Sequence, residues 1–320
     1  MSDQQQQQQA QKQEQQQTEA VASALLQEWA MPGRIGAPPQ SSDVANLSLP
    51  PITTLEAALA INRAMGVASH PTISRLRAEL GGHVGWKMGW KGAFAERPVL
   101  CGPLFGCGII PCIGDGGDRR QVSEASLSAH RAFCAEAEFC MILRRPLRPL
   151  PSGQRYTEEQ VWQTVDRVEL CIELCGARQF TSTNKHHYVA DALCSAAVVK
   201  GPCLGKREDI DPNTLTQHKV ELFCGENKIS EGTALNNPGD SPLASLTVLA
   251  NELCGERGMT LEAGVVVICG HCCQAQLEGR PKPSLGGTPR PEWGSARWQE
   301  GDVLRAKFGT LGEVKVVLKS

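Results

Sequence analysis

The sequence predicts an α+β fold built on a largely antiparallel or mixed sheet. Three observations lead there. Residues 168–174 alternate, with Val168, Leu170, Ile172 and Leu174 on one parity and Glu169, Cys171 and Glu173 on the other, which is a strand pattern. Leu243, Leu246, Leu249 and Leu253 repeat at helical spacing. Strand and helix patterns follow one another without βαβ regularity, and no internal repeat is visible. At 320 residues, 41% hydrophobic and 21% charged, the chain suits one large domain or two modest ones.

Residues 1–18 are mostly glutamine, eleven of the eighteen. Such a tract has little apolar surface to bury against its ordering entropy, so disorder is expected. Residues 21–31 read as a helix, with Val21, Leu25 and Trp29 on one face and Pro32 beyond it. Residues 33–51 form a Pro/Ser-rich connector. Thr53 and Glu56 have capping-box spacing and open a helix through Met65. Thr157 and Gln160 repeat the device before a helix near residues 161–167. Ser241 and Pro242 start the leucine-striped helix, with Pro242 suited to the first helical position and Gly255 or Gly258 ending it. Residues 135–143 and 265–269 are further strands. The chain ends in a hairpin, 303–308 and 314–318 around a Gly309–Gly312 turn. Residues 277–294 are a Gly/Pro/Arg-rich loop. The expectation is one domain over residues 19–320, helical to about residue 80 and β-rich from about 81.

Composition narrows the function classes. A net charge of −2 gives no reason to expect nucleic acid. No apolar run approaches the roughly 18–20 residues of a membrane span. The first 33 residues hold one lysine and no arginine and lack a secretory apolar core, so a cytoplasmic location is expected. The fourteen cysteines are scattered and read as small buried hydrophobes rather than a disulfide framework. One tetrapeptide stands out, Cys269-Gly270-His271-Cys272. A redox dithiol needs a strand before it and a helix after it, and the helix condition is weak here. Zinc binding by Cys269, His271, Cys272 and Cys273 lacks a second pair at ligand spacing. A third reading makes Gly270 the residue of interest, ending a strand where backbone approaches a ligand.

The carboxylates are more informative. Glu136 and Glu138 lie two apart in an apolar stretch, so on a strand they share a face about 6.5–7 Å apart. Ala135, Ala137, Phe139 and Met141 take the other face. Two such carboxylates repel each other and lose hydration, and they stay ionised if a cation lies between them. Glu173, on the polar parity of its own strand, is available as a third ligand. Three oxygen ligands favour a hard ion, Mg²⁺ or Mn²⁺, over zinc. The bland alternative is a solvated edge strand. Lys87, within VGWKMGWKG, is either a partly desolvated cation facing an anion or a solvent-facing strand lysine. Asp191, in an apolar run, either caps the next helix or faces the site as an acid–base group.

Taken in order, TLEAALAIN (54–62), VGWKMG (84–89), PLFG (103–106), AEAEFCMIL (135–143), IELCGAR (172–178), VADA (189–192), SPLASLTVLANEL (241–253), LEAGVVVICG (261–270) and GDVLRAKFGTLGEVKV (301–316) resemble the fumarylacetoacetate hydrolase superfamily. The similarity is greatest to the 2-oxopent-4-enoate (2-hydroxypentadienoate) hydratase and 4-oxalocrotonate decarboxylase branch. The resemblance implies a roll of mixed β-sheet with flanking helices, commonly assembled into homo-oligomers. It implies Glu136, Glu138 and Glu173 as ligands of Mg²⁺ or Mn²⁺, Lys87 and Asp191 as catalytic residues, and Gly270, His271 and Arg178 at the substrate pocket. The implied activity is that of a divalent-metal-dependent lyase on a small 2-oxo or 2-hydroxydienoic acid, a hydratase-like or decarboxylase-like reaction through an enolate stabilised by the metal. A C–C hydrolase or acylpyruvase on the same scaffold, or a non-catalytic binding homologue, are the alternatives. This chain departs from the pattern at Lys91-Gly92, at Pro111 and Cys112 with Asp115 a substitute acid, at His271, and at the 277–294 insertion.

Overall fold

Alternating apolar parity builds two of the four twelve-residue strands of the larger sheet. The architecture is that of a computed structural model, which describes residues 3–30, 52, 54–67, 70–89, 100–111, 122–176, 185–279 and 294–320. One sheet contains β1 (His83–Met88), β2 (Cys101–Phe105), β3 (Ile109–Ile110), β5 (Ala132–Leu143), β6 (Val165–Gly176), β7 (Ser195–Lys206), β10 (Val266–Leu277) and β11 (Gly294–Ala296). Its order is β2-β1-β10-β5-β6-β7-β3, with β11 on β10. The second contains β4 (Ser123–Ser126), β8 (Val220–Cys224), β9 (Asn227–Gly232), β12 (Val303–Phe308) and β13 (Glu313–Lys319), in the order β4-β13-β12-β8-β9. Both sheets mix parallel and antiparallel pairs. The fold class is therefore the expected α+β one, with mixed sheets and flanking helices.

Each face of the first sheet has its own role. Ala135, Ala137, Phe139 and Met141 of β5 and Val168, Leu170, Ile172 and Leu174 of β6 enter the main core. There they join Leu222, Phe308 and Val316 of the second sheet and Leu246 and Leu249 of α6 (Pro242–Ala250). Phe139 meets Phe308 edge to face with centroids 5.2 Å apart, a favoured aromatic geometry. The opposite face carries a small apolar patch of Leu104, Cys140, Ile142, Cys171, Val198 and Ile268, and beside it the glutamates. A second core joins α1 (Asp3–Ala30), α2 (Leu55–Val67), α3 (Pro71–Glu79) and α5 (Lys185–Ala190) to Leu100 and Phe105 near β2.

Caps form where the sequence places them. Thr157 and Gln160 make a reciprocal capping box on α4 (Glu158–Trp162). Ser241 Oγ accepts the Ala244 N–H at 2.9 Å, with Pro242 in the first turn of α6. Ser241→Ala is expected to lower stability by about 1 kcal/mol, read as a fall in the urea midpoint at constant m-value.

Several boundaries differ from expectation. The glutamine tract, expected to be disordered, continues as helix from Asp3 with its side chains exposed from Gln4 to Gln17. Glutamine is a fair helix former, and each added residue extends a helix already nucleated where Val21, Ala22, Leu25 and Leu26 are buried. The α2 cap falls on Thr54, whose Oγ1 accepts the Ala57 N–H at 3.2 Å; Thr53 lies outside the described residues. The helix expected near 161–167 stops at Trp162, because Val165 and Arg167 pair with Leu143 and Ile142 as the start of β6. After α6 the chain widens into a π turn over Asn251–Glu256, and the positive φ of +61° falls on Gly258. The final hairpin forms as expected, with positive φ at Gly309 and Gly312. The connector 33–51, and 280–293 of the loop, lie outside the described residues. Among the described residues no helix is long and apolar enough to cross a membrane. The thirteen described cysteines are all free thiols and eleven are buried, as small core hydrophobes would be.

Candidate metal centre

Register assembles the site. β5 and β6 pair with Glu136 opposite Glu173 and Glu138 opposite Cys171. Directly opposed residues share a face, so the three carboxylates project together. On the other side of β5, β10 places His271 opposite Glu138 and Gln274 opposite Glu136. β1 runs parallel to β10 with Lys87 beside Ile268. Trp86 and Met88 enter the main core, so Lys87 between them points to the glutamate face.

The cluster is dry. Glu138 and Glu173 are 0% exposed and Lys87 is 2% exposed. Lys87 Nζ lies 2.7 Å from Glu173 Oε2 and 3.9 Å from Cys175 Sγ. A carboxylate oxygen of Glu136, one of Glu173 and the Cys175 sulfur all lie within 4.8 Å of one another. Glu138 is not part of that group. Its Oε2 accepts the Gly270 N–H at 2.8 Å, while its buried Oε1 has no hydrogen-bond partner.

Electrostatics follow from that crowding. Burial, then Glu173 and Glu136, push Glu138 well above the usual carboxylate range, against the pull of Lys87 and the Gly270 N–H. Burial also raises Glu173, to about 7, and Lys87 limits the rise. Burial alone would lower Lys87, but Cys175, Glu173 and Glu136 more than offset it, so the ammonium persists. A divalent cation would relieve the repulsion among the acids and engage the orphaned Glu138 Oε1. By donor type and burial, the residues present fit such an ion.

The remaining expected site residues are placed as follows. Gly270 is within the site, donating to Glu138 and accepting from Asn237 Nδ2 through its carbonyl. Its φ is +94°, and a Cβ there would lie 2.8 Å from Pro238 Cδ. Gly270→Ala is therefore expected to destabilise the protein by about 1–3 kcal/mol, measured by denaturant unfolding. His271 is half-buried on the Glu138 side of β10. Asp191 is buried after α5 and makes no side-chain cap, and its charge acts on His187. The three residues after it, Ala192, Leu193 and Cys194, have φ of +51°, +54° and +57°, a left-handed turn costing roughly 1–2 kcal/mol per residue. It is pressed against β2, where a Cβ on Gly102 would meet the Ala192 carbonyl oxygen at 2.4 Å. Arg178, Lys91, Gly92, Cys112 and Asp115 lie outside the described residues.

The CGHC tetrapeptide lies inside β10, across a bulge. Strand rather than helix follows it as far as Leu277, and burial pushes the Cys269 and Cys272 thiols well up, the opposite of what a redox nucleophile needs. Sequence reasoning ended that strand at Cys269. The bulge at Gly270 and His271 lets it continue to Leu277 while turning a backbone N–H onto Glu138.

Four residues near the cluster went unpredicted. Cys175 follows Glu173 by two and so shares its parity, a signal that was present. Gln274 reaches the Glu136 side only through the bulged register, and Ser195, a hydrogen-bond partner of Glu173, only through the pairing of β6 with β7. Tyr188 packs on Phe133, Cys134, Cys175 and Cys194, in the electrostatic range of Lys87.

Comparison with solved structures agrees with this architecture. The 4-oxalocrotonate decarboxylase from Pseudomonas putida G7, complexed with magnesium and adipate, aligns over 95% of this chain and 97% of its own at TM-score 0.66 and 18% identity. The same enzyme with calcium and acetate aligns over the same shares at TM-score 0.65 and 19% identity. The fold of this chain is therefore like that of this decarboxylase. A fumarylacetoacetate hydrolase from Exiguobacterium antarcticum aligns over 75% of this chain and 76% of its own, at TM-score 0.48 and 17% identity. No protein-family model matches the chain, and no curated protein matches it by sequence. The strands that carry Glu136, Glu138 and Glu173 lie between β10 and β7 in the first sheet.

Proposed function

We propose that this chain is a divalent-metal-dependent lyase acting on a small 2-oxo or 2-hydroxydienoic acid, by a hydratase-like or decarboxylase-like reaction, with residues 19–320 as one catalytic unit. The observation that carries this reading is the convergence of acids on one sheet face: half-buried Glu136 and buried Glu173 within 4.8 Å, buried Glu138 with an unpartnered oxygen, and the Lys87 ammonium 2.7 Å from Glu173. Glu136, Glu138 and Glu173 would hold Mg²⁺ or Mn²⁺. When bound, such an ion supplies Lewis acidity toward the carboxylate and 2-oxo oxygens of the substrate.

The chain's own groups would do the rest. Lys87, fixed by Glu173, balances negative charge that grows on the substrate. Gly270 orients Glu138 through its N–H. Asp191, buried after α5, serves as the proton shuttle. Gly270, His271 and Arg178 border the substrate. The apolar patch of Cys140, Ile142 and Ile268 keeps bulk water from the carboxylates. Support also comes from the shared fold, since the decarboxylase complexes pair a divalent ion with a carboxylic acid.

The test is a turnover screen of small 2-oxo and 2-hydroxydienoic acids with Mg²⁺ or Mn²⁺, then with chelator. Hydration or decarboxylation that vanishes on chelation and returns with the ion is expected. Acid release from an acylpyruvate would move the assignment to C–C hydrolysis. Binding of oxalate or pyruvate without any turnover would make the chain a non-catalytic homologue.

A further inference from the structure

Cys175 follows Glu173 by two residues on β6 and therefore faces the same side of the sheet. Its sulfur completes the three-donor group with Glu136 and Glu173, all within 4.8 Å, and it is 5% exposed. It also lies 3.9 Å from Lys87 Nζ. Independently, Glu138 Oε1 is fully buried in the same cluster without a partner, so the cluster has an unmet demand for a cation.

Resting on the reading that these glutamates hold a divalent ion, we propose that the Cys175 thiolate is an additional ligand of the same ion. The centre then has mixed oxygen and sulfur donors rather than oxygen alone. Mg²⁺ and Ca²⁺ are hard and gain little from sulfur, whereas a thiolate strengthens binding of Mn²⁺, Fe²⁺, Co²⁺ and Zn²⁺. Cys175 thus biases the site toward transition-series ions over Mg²⁺. On binding, the S–H bond breaks, the proton leaves to solvent, and the sulfur lone pair enters the metal–sulfur bond. No electron is gained or lost, and one proton is released per ion from this residue. Cys134 is the cross-strand neighbour of Cys175, in a patch with Phe133 and Cys194. It lies outside the donor group, but its thiol is a hydrogen-bond partner of Cys175 and, with burial, holds the Cys175 thiol well above its ordinary range, a cost that ion binding must offset.

Cobalt reports the bond directly, because a thiolate on Co²⁺ gives an intense near-ultraviolet charge-transfer band that carboxylates do not. The full-length, reduced, metal-free protein is titrated with Co²⁺, following both the band and the bound ion by calorimetry. The wild type is expected to show the band at saturation. Cys175→Ala and Cys175→Ser should lose it while still binding Co²⁺ through the glutamates, about tenfold or more weakly, with Mg²⁺ affinity changed by less than about threefold. Cys134→Ala should keep the band. Co²⁺ bound to the wild type without the band overturns the proposal and leaves the carboxylate site standing. So does a band that survives in the Cys175 variants. If neither Co²⁺, Mn²⁺ nor Mg²⁺ binds the wild type, the metal reading itself fails. The wild-type spectrum decides the matter even if a variant does not fold.

Discussion

Glu138→Ala is expected to abolish metal-dependent turnover while leaving the protein folded. The carboxylate is held on one side only, by the Gly270 N–H at 2.8 Å, and its other oxygen is buried with no partner. An oxygen placed that way is available to an ion. Lewis-acid stabilisation is worth several kcal/mol, so losing a ligand should reduce kcat by about a thousandfold or more. The fold should survive because opposing effects nearly cancel. The substitution leaves the Gly270 N–H unsatisfied, at about 1–3 kcal/mol, but removes a buried acid that Glu173 and Glu136 repel. Turnover and calorimetric Mg²⁺ or Mn²⁺ binding should be measured on the same preparation. Wild-type turnover in Glu138→Ala would refute its role as a ligand.

The second large effect is on stability. Lys87 and Glu173 form a buried ion pair, at 2% and 0% side-chain exposure. Breaking such a pair from one side leaves an uncompensated charge and typically costs about 3–5 kcal/mol. Glu173→Gln should show a loss of that size, and Lys87→Met a loss that depends on pH. Burial already raises Glu173 to about 7 with Lys87 beside it, and removing the lysine raises it further. A carboxyl whose pKa is higher folded than unfolded favours the fold most at low pH. That contribution is lost as pH rises from the unfolded value near 4.5 through the folded one, at up to about 1.4 kcal/mol per pH unit. Lys87→Met should therefore be nearly tolerated at about pH 5 and strongly destabilised at about pH 8 in metal-free protein. The double variant should cost less than the two single losses added together. Urea unfolding at both pH values tests this; a Lys87→Met loss of the same size at each would show that Glu173 is not left as a buried charge.

The site was legible where parity alone decides direction. Glu136 and Glu138 share a face because they are two apart, and the alternation through residues 168–174 put Glu173 on the polar side of its strand. The caps at Thr157 and Ser241 were also readable, because a cap is a contact within three residues. What failed was also local in cause. The α4 end was read from residues 161–167 alone, but Val165 and Arg167 answer to Leu143 and Ile142 across the sheet. The α2 cap that is described is Thr54, whose Oγ1 accepts the Ala57 N–H. Resemblance to a known superfamily supplied the grouping of these acids with Lys87, and the solved structures support the fold at 18–19% identity.

By itself, then, the sequence determined the α+β class, the apolar faces of β5, β6 and α6, and the candidacy of the acids, since these follow from short-range periodicity and the cost of burying charge. Only the tertiary structure decided that Glu136 stands opposite Glu173, that Lys87 reaches Glu173, that Gly270 turns its N–H onto Glu138, and that Cys175 joins the donors. Those relations depend on strand order, register and a bulge between segments up to 132 positions apart, and register is set by the packing of the whole sheet rather than by any window of the chain.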